Sequence, residues 1–118
     1  MKEHEKKALS KCVDSLDSIS ASLEFADKSN PTRGKCYIAS RALLEFLGGK
    51  SNGYSLMCAK DLFDVPHYWV ASGEGVILDP TIAQYKALNI TPPYEHGKSV
   101  GYRPMKKHMI LLNAMRQE

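Results

Sequence analysis

The stretch His67-Tyr68-Trp69-Val70-Ala71-Ser72-Gly73-Glu74-Gly75-Val76-Ile77-Leu78-Asp79-Pro80 decides the fold. Two runs of aromatic and branched residues flank a short turn of Ser, Gly and Glu, the pattern of an antiparallel hairpin. Pro80 lacks a backbone N–H and ends the second strand. With the turn centred near Gly73, His67 stands directly across from Asp79, and facing Cβ atoms in such a pair are roughly 5 Å apart. Upstream, Tyr54-Ser55-Leu56-Met57-Cys58-Ala59 predicts another strand.

Helices surround this sheet. Apolar residues at Ala8, Leu9, Cys12, Val13, Leu16, Ile19, Leu23 and Ala26 recur at steps of mostly three and four, so residues 3–26 predict an amphipathic helix. Residues 28–34 read as a loop, broken by Pro31 and Gly34. A second helix is expected over residues 36–47, closed by Gly48 and Gly49. Residues 80–103 read as mostly irregular, packed down by Tyr85, Tyr94 and Tyr102. A last helix is expected over residues 104–115, with Pro104 in its first turn. Helices followed by a small antiparallel sheet and a terminal helix make an α+β chain, a single domain over residues 1–118.

Composition narrows the function classes. The 43% hydrophobic and 25% charged residues are ordinary globular values, which excludes a disordered chain, a fibrous repeat and a disulfide scaffold. Sixteen basic against thirteen acidic residues leave a net charge of +3, too little to argue for nucleic acid. Arg103, Lys106, Lys107, His108 and Arg116 read as a solvated helix face. With neither a membrane-length apolar run nor a secretory leader, and with three cysteines lacking C-x-x-C spacing, a reduced cytoplasmic setting is expected.

Three residues carry candidate chemistry. Cys36, at the expected start of a helix, feels the positive dipole end, which favours thiolate and lowers its pKa. The bland alternative is a small buried residue on a helix face. His67 opens a strand and Asp79 ends the next. A carboxylate holding one imidazole nitrogen leaves the other for a thiol, the nucleophile, base and orienter of a cysteine enzyme. Trp69 shares the strand face of His67 and is read both as core and as a wall of the site, while Cys12 and Cys58 are read as core. A metal site from Cys36, Cys58, His67 and Asp79 matches no zinc spacing.

The blocks Gly34-x-Cys36-Tyr37-x-Ala39-Ser40-x-Ala42-Leu43, His67-Tyr68-Trp69-Val70 and Val76-Ile77-Leu78-Asp79-Pro80-Thr81-x-x-Gln84-Tyr85 resemble the papain-like/transglutaminase-like cysteine superfamily. The resemblance is nearest to small bacteriophage and bacterial proteins with the same blocks, and it covers about residues 34–103. It implies a minimal papain-like/transglutaminase-like core, with N-terminal helices packed on the sheet. It implies Cys36 as nucleophile, His67 as general base and acid, and Asp79 as orienting acid. Family members place a Gln before the nucleophile as oxyanion donor; this chain has Asn30 there instead. Gln84 and the backbone N–H of Cys36 are further candidate donors, and Tyr37, Tyr68 and Trp69 candidate cleft residues.

The expected function is a thiol-dependent amide hydrolase or acyltransferase acting on a protein or peptide, without metal or cofactor. The likeness to phage proteins implies a host protein as substrate and the host cytoplasm as compartment. The alternative is a non-catalytic binding or inhibitor module on the same fold. Oligomeric state is left open by the sequence.

Overall fold

The computed structural model describes residues 1–19, 31–102 and 106–117. Helix α1 spans Glu3–Ile19, with Glu3 and Glu5 in its first turn, where negative charge suits the dipole. The rest of the expected first helix, residues 20–26, lies outside the described residues, as does Asn30. Helix α2 spans Pro31–Phe46. The loop expected through Gly34 is therefore corrected: Pro31 begins the helix rather than breaking it. A first-turn proline needs no N–H partner, and its fixed φ suits the helix. Cys36 is consequently the sixth residue of α2, not its opening residue.

The end of α2 matches its glycine signal. Gly48 and Gly49 have φ of 97° and 68°, and the side-chain amide of Asn52 donates to the Leu47 carbonyl at 2.9 Å. A 3₁₀ turn, Gly49–Asn52, leads into the sheet.

Strands β1 (Ser55–Lys60), β2 (Pro66–Ala71), β3 (Ile77–Leu78) and β4 (Lys98–Ser99) form one antiparallel sheet in the order β3-β2-β1-β4. The hairpin exists, but its register differs from the expected one. Val70 faces Leu78 and Ala71 faces Ile77, so His67 and Asp79 are offset by two residues rather than directly opposed. The cause is the turn. Ser72 and Val76 close it by an N–H to carbonyl bond of 2.9 Å, and Gly75 takes φ 82°, which centres the turn on Glu74 instead of Gly73.

Residues 80–103 hold more order than expected. Helix α3 covers Ile82–Leu88, and a 3₁₀ turn covers Tyr94–His96 before β4. Ala83, Gln84, Lys86, Ala87 and Leu88 are good helix formers, and Asn89 closes α3 in the left-handed conformation. Helix α4 spans Lys106–Arg116; the expected start at Pro104 lies outside the described residues.

Helix α2 packs on β2 along one side and on α1 and α4 along others. Over residues 38–44 it is buried all round, as a helix with apolar neighbours on several sides must be. Leu43, Leu44, Leu56, Val70, Leu78 and Leu112 form the centre of the core. Truncating one such residue, Leu43→Ala for example, would cost about 2–5 kcal/mol. His108 is also fully buried, so it is not part of a solvated basic face. Among the described residues, no helix is long and apolar enough to cross a membrane.

Candidate active site

Asp79 sits just beyond β3, where Pro80 stops the strand and the chain turns. Its Oδ1 accepts the backbone N–H of Thr81 at 3.0 Å, the local bond that an Asp two residues before its donor makes. Its Oδ2 takes Nε2 of His67 at 2.6 Å and the hydroxyl of Tyr94, also at 2.6 Å. The two-residue register offset does not separate the pair: a diagonal neighbour lies within reach of a long side chain. His67 is 1% exposed and Asp79 5%, so the bond lies away from water, where charge-assisted bonds are strongest.

Aromatic rings enclose the imidazole. Trp69 stacks beside it with ring centroids 5.7 Å apart, and Tyr85 meets it edge-on at 4.5 Å. Tyr94 lies edge-on to Trp69 at 5.1 Å. Both readings of Trp69 fit: it is a buried core residue, and it packs on the histidine beside the main apolar cluster. Tyr85 is fixed from its far end, since its hydroxyl donates to Oδ2 of Asp61 at 2.7 Å. Burial and the carboxylate bond push the hydroxyls of both Tyr85 and Tyr94 well above the ordinary phenol range. Both therefore stay protonated donors.

Cys36 comes to the same end of β2 from the helix side. Its Sγ lies 3.8 Å from the carbonyl oxygen of Pro66, the residue before His67. One turn further along α2, the hydroxyl of Ser40 donates to the Tyr68 carbonyl at 3.0 Å and pins the helix to the strand. The expected low thiol pKa is corrected. Burial pushes the Cys36 thiol up to about 11, and the Asp79 charge adds to this, while backbone groups of Tyr68 and Tyr37 pull the other way. A residue in the second turn, 2% exposed, gains less from the helix end than it loses by leaving water. For the same reason its own N–H is not among the unpaired first-turn donors of α2 that would hold an oxyanion.

The remaining candidates fall at different distances from this centre. Gln84, on α3 next to Tyr85, borders a pocket of about 390 Å³ with Phe63, Val65 and Leu88. Tyr37 lies edge-on to Tyr68 at 4.9 Å. Cys58 faces Tyr68 across β1 and β2 and is only half-buried, so it is not a core residue; Cys12 is, with its thiol on the Ala39 carbonyl at 3.5 Å. No cluster of three His, Cys, Asp or Glu among the described residues is placed to hold a metal ion.

The sequence reading missed the roles of Tyr94, Tyr85 and Ser40. Ser40 and Tyr85 lie inside the motif blocks, and Asp79-x-Thr81 is itself a turn signal. Tyr94 lies fifteen residues past Asp79 with no local pattern pointing back to it. A buried histidine on a buried carboxylate, walled by three aromatic rings, with a thiol on the carbonyl of the preceding residue, can orient an imidazole and store a proton. Against known proteins, no family model, no curated protein and no solved structure matches this chain.

Proposed function

We propose that the chain is a thiol-dependent amide hydrolase or acyltransferase on a papain-like/transglutaminase-like core, acting on a protein or peptide substrate. The observation that carries this reading is the buried 2.6 Å bond between His67 Nε2 and Asp79 Oδ2, at the strand end that Cys36 approaches. Asp79 occupies Nε2, which leaves Nδ1 to take the proton of Cys36. The sulfur then bonds the acyl carbon, and the C–N bond breaks as the imidazolium hands its proton to the departing amine. Water or a second amine cleaves the thioester, giving hydrolysis or acyl transfer. A thiol raised to about 11 rests neutral at pH 7, so general-base transfer to His67 must accompany attack.

A second reading has its own support. Cys36 is 2% exposed, which suits a binding module with an idle catalytic set. One experiment separates the two. Under the enzyme reading, p-nitrophenyl acetate at pH 7 places one acetyl group on Cys36, detected by peptide mass. Cys36→Ser abolishes it, and His67→Ala slows it by about 10²–10⁴-fold. Acetylation spread equally over Cys36 and Cys58, or indifferent to His67→Ala, would overturn the reading in favour of the module.

A further inference from the structure

Arg41 lies on α2 five residues past Cys36 and is 3% exposed. Its guanidinium carbon sits 4.2 Å from the ring centroid of Tyr102. Its Nη2 is 3.4 Å from Nε2 of His108, and that same Nε2 is 2.9 Å from Oε2 of Glu45. One ring nitrogen cannot both donate and accept. A carboxylate only accepts, so the shorter contact puts the Nε2 hydrogen towards Glu45. A guanidinium only donates, so its contact with His108 is donor against donor. The Nε of Arg41 is also buried, with no hydrogen-bond partner among the described residues. A guanidinium cannot shed its charge, and a buried N–H of it left without an acceptor is unfavourable.

Arg41 lines a cavity of about 350 Å³ with Leu44, Glu45, Lys50, Ser51 and Tyr102. That is far more than the ~30 Å³ one water occupies. Lys50 lies on the same aromatic ring as Arg41, its Nζ 6.0 Å from the Tyr102 centroid. Among the described residues, two cations thus face the cavity against one carboxylate, and that carboxylate is engaged by His108.

We propose that this cavity binds a small molecule bearing a carboxylate or phosphate group. The anionic group takes the Arg41 guanidinium, whose Nε has no partner among the described residues, in the paired geometry that guanidinium offers. Lys50 balances further negative charge, and the Tyr102 ring covers the carbon part.

The test uses the full chain, isotopically labelled, titrated with sodium phosphate and separately with sodium acetate at ionic strength fixed by chloride. Saturable amide shifts are expected at residues 48–51 and at Tyr102. Saturation by phosphate alone assigns a phosphate-bearing ligand, and saturation by acetate a carboxylate. Arg41→Met, which replaces the buried cation with an apolar chain, should weaken binding at least tenfold. Lys50→Gln, at an exposed position that leaves the core untouched, should weaken it severalfold and decides the matter should Arg41→Met fail to fold. Cys36→Ser should titrate as the wild type, which separates this site from the proposed chemistry. Shifts that never saturate, or a Lys50→Gln variant that titrates as the wild type, would overturn the proposal.

Discussion

Tyr94 and His67 share one oxygen: each lies 2.6 Å from Oδ2 of Asp79, so the carboxylate is the hub that joins the segment after α3 to strand β2. Thr81 adds its N–H to the other oxygen at 3.0 Å. A hub with donors from three residues holds the histidine ring in one orientation, and it also ties an otherwise irregular segment to the sheet.

Removing the hub should cost more than removing a spoke. Asp79→Ala strands several buried donors and should destabilise by about 3–5 kcal/mol. Tyr94→Phe removes one bond to a charged group and should cost about 1–3 kcal/mol. Urea unfolding of both variants measures the difference. Equal losses would show that Tyr94 contributes as much as the carboxylate and that the hub description is wrong.

The Cys36 thiol should titrate late. Absorbance at 240 nm, taken as the difference between wild type and Cys36→Ser, should rise with a midpoint near pH 11, because burial disfavours the thiolate. The sign of the linked stability follows. The folded value lies above the ordinary 9.0, so the stabilising contribution is complete below pH 9 and is lost as pH climbs through about 11. A midpoint below 8 would mean that burial does not control the thiol and that a cation holds the thiolate as an ion pair.

The local signals were strong where one element sufficed. The hairpin and the glycine stop of α2 follow from strand composition and turn chemistry over about a dozen residues; His67 does meet Asp79, but diagonally, across a register the turn residues did not reveal. What the sequence concealed needed distance. Tyr94 reaches Asp79 from another segment, and Arg41 meets His108 across 67 residues of chain, so no spacing rule exposes either. Pro31 misled in a different way, because the same residue stops a helix from within and starts one from its first position. The thiol misled because helix position and burial act on it in opposite directions, and only the fold says which is larger.

Gly97 should tolerate no side chain. A Cβ there would lie 2.4 Å from Cζ2 and 2.9 Å from Cη2 of Trp69, and the buried indole has no free end to swing aside. Its φ of −63° is ordinary, so any loss comes from the clash and not from the backbone. Gly97→Ala should destabilise by about 1–3 kcal/mol. It should also shift the emission of Trp69, the single tryptophan. Gly101→Ala, with open space around it, is the control and should leave both unchanged.

The first turn of α1 carries a pH-dependent anchor. Glu5 is buried, its Oε1 accepting the Lys2 backbone N–H at 2.8 Å and its Oε2 the Tyr54 hydroxyl at 2.7 Å. The backbone bond first, and the tyrosine bond after it, hold the Glu5 carboxyl below its ordinary 4.5 against the opposing pull of burial. Because the folded value is depressed, the stabilisation is complete above pH 4.5 and disappears as pH falls through the folded value. A double-mutant cycle of Glu5→Gln and Tyr54→Phe should give a coupling of about 0.5–3 kcal/mol at pH 7. As pH falls below 4.5 and the carboxyl takes up its proton, the coupling should shrink, because a protonated carboxyl is the weaker acceptor. His4 also contacts the Tyr54 hydroxyl, at 3.1 Å, and the cycle removes that contribution because it enters both Tyr54→Phe arms alike. A coupling that is unchanged once the Glu5 carboxyl has taken up its proton would mean that the bond does not depend on the Glu5 charge.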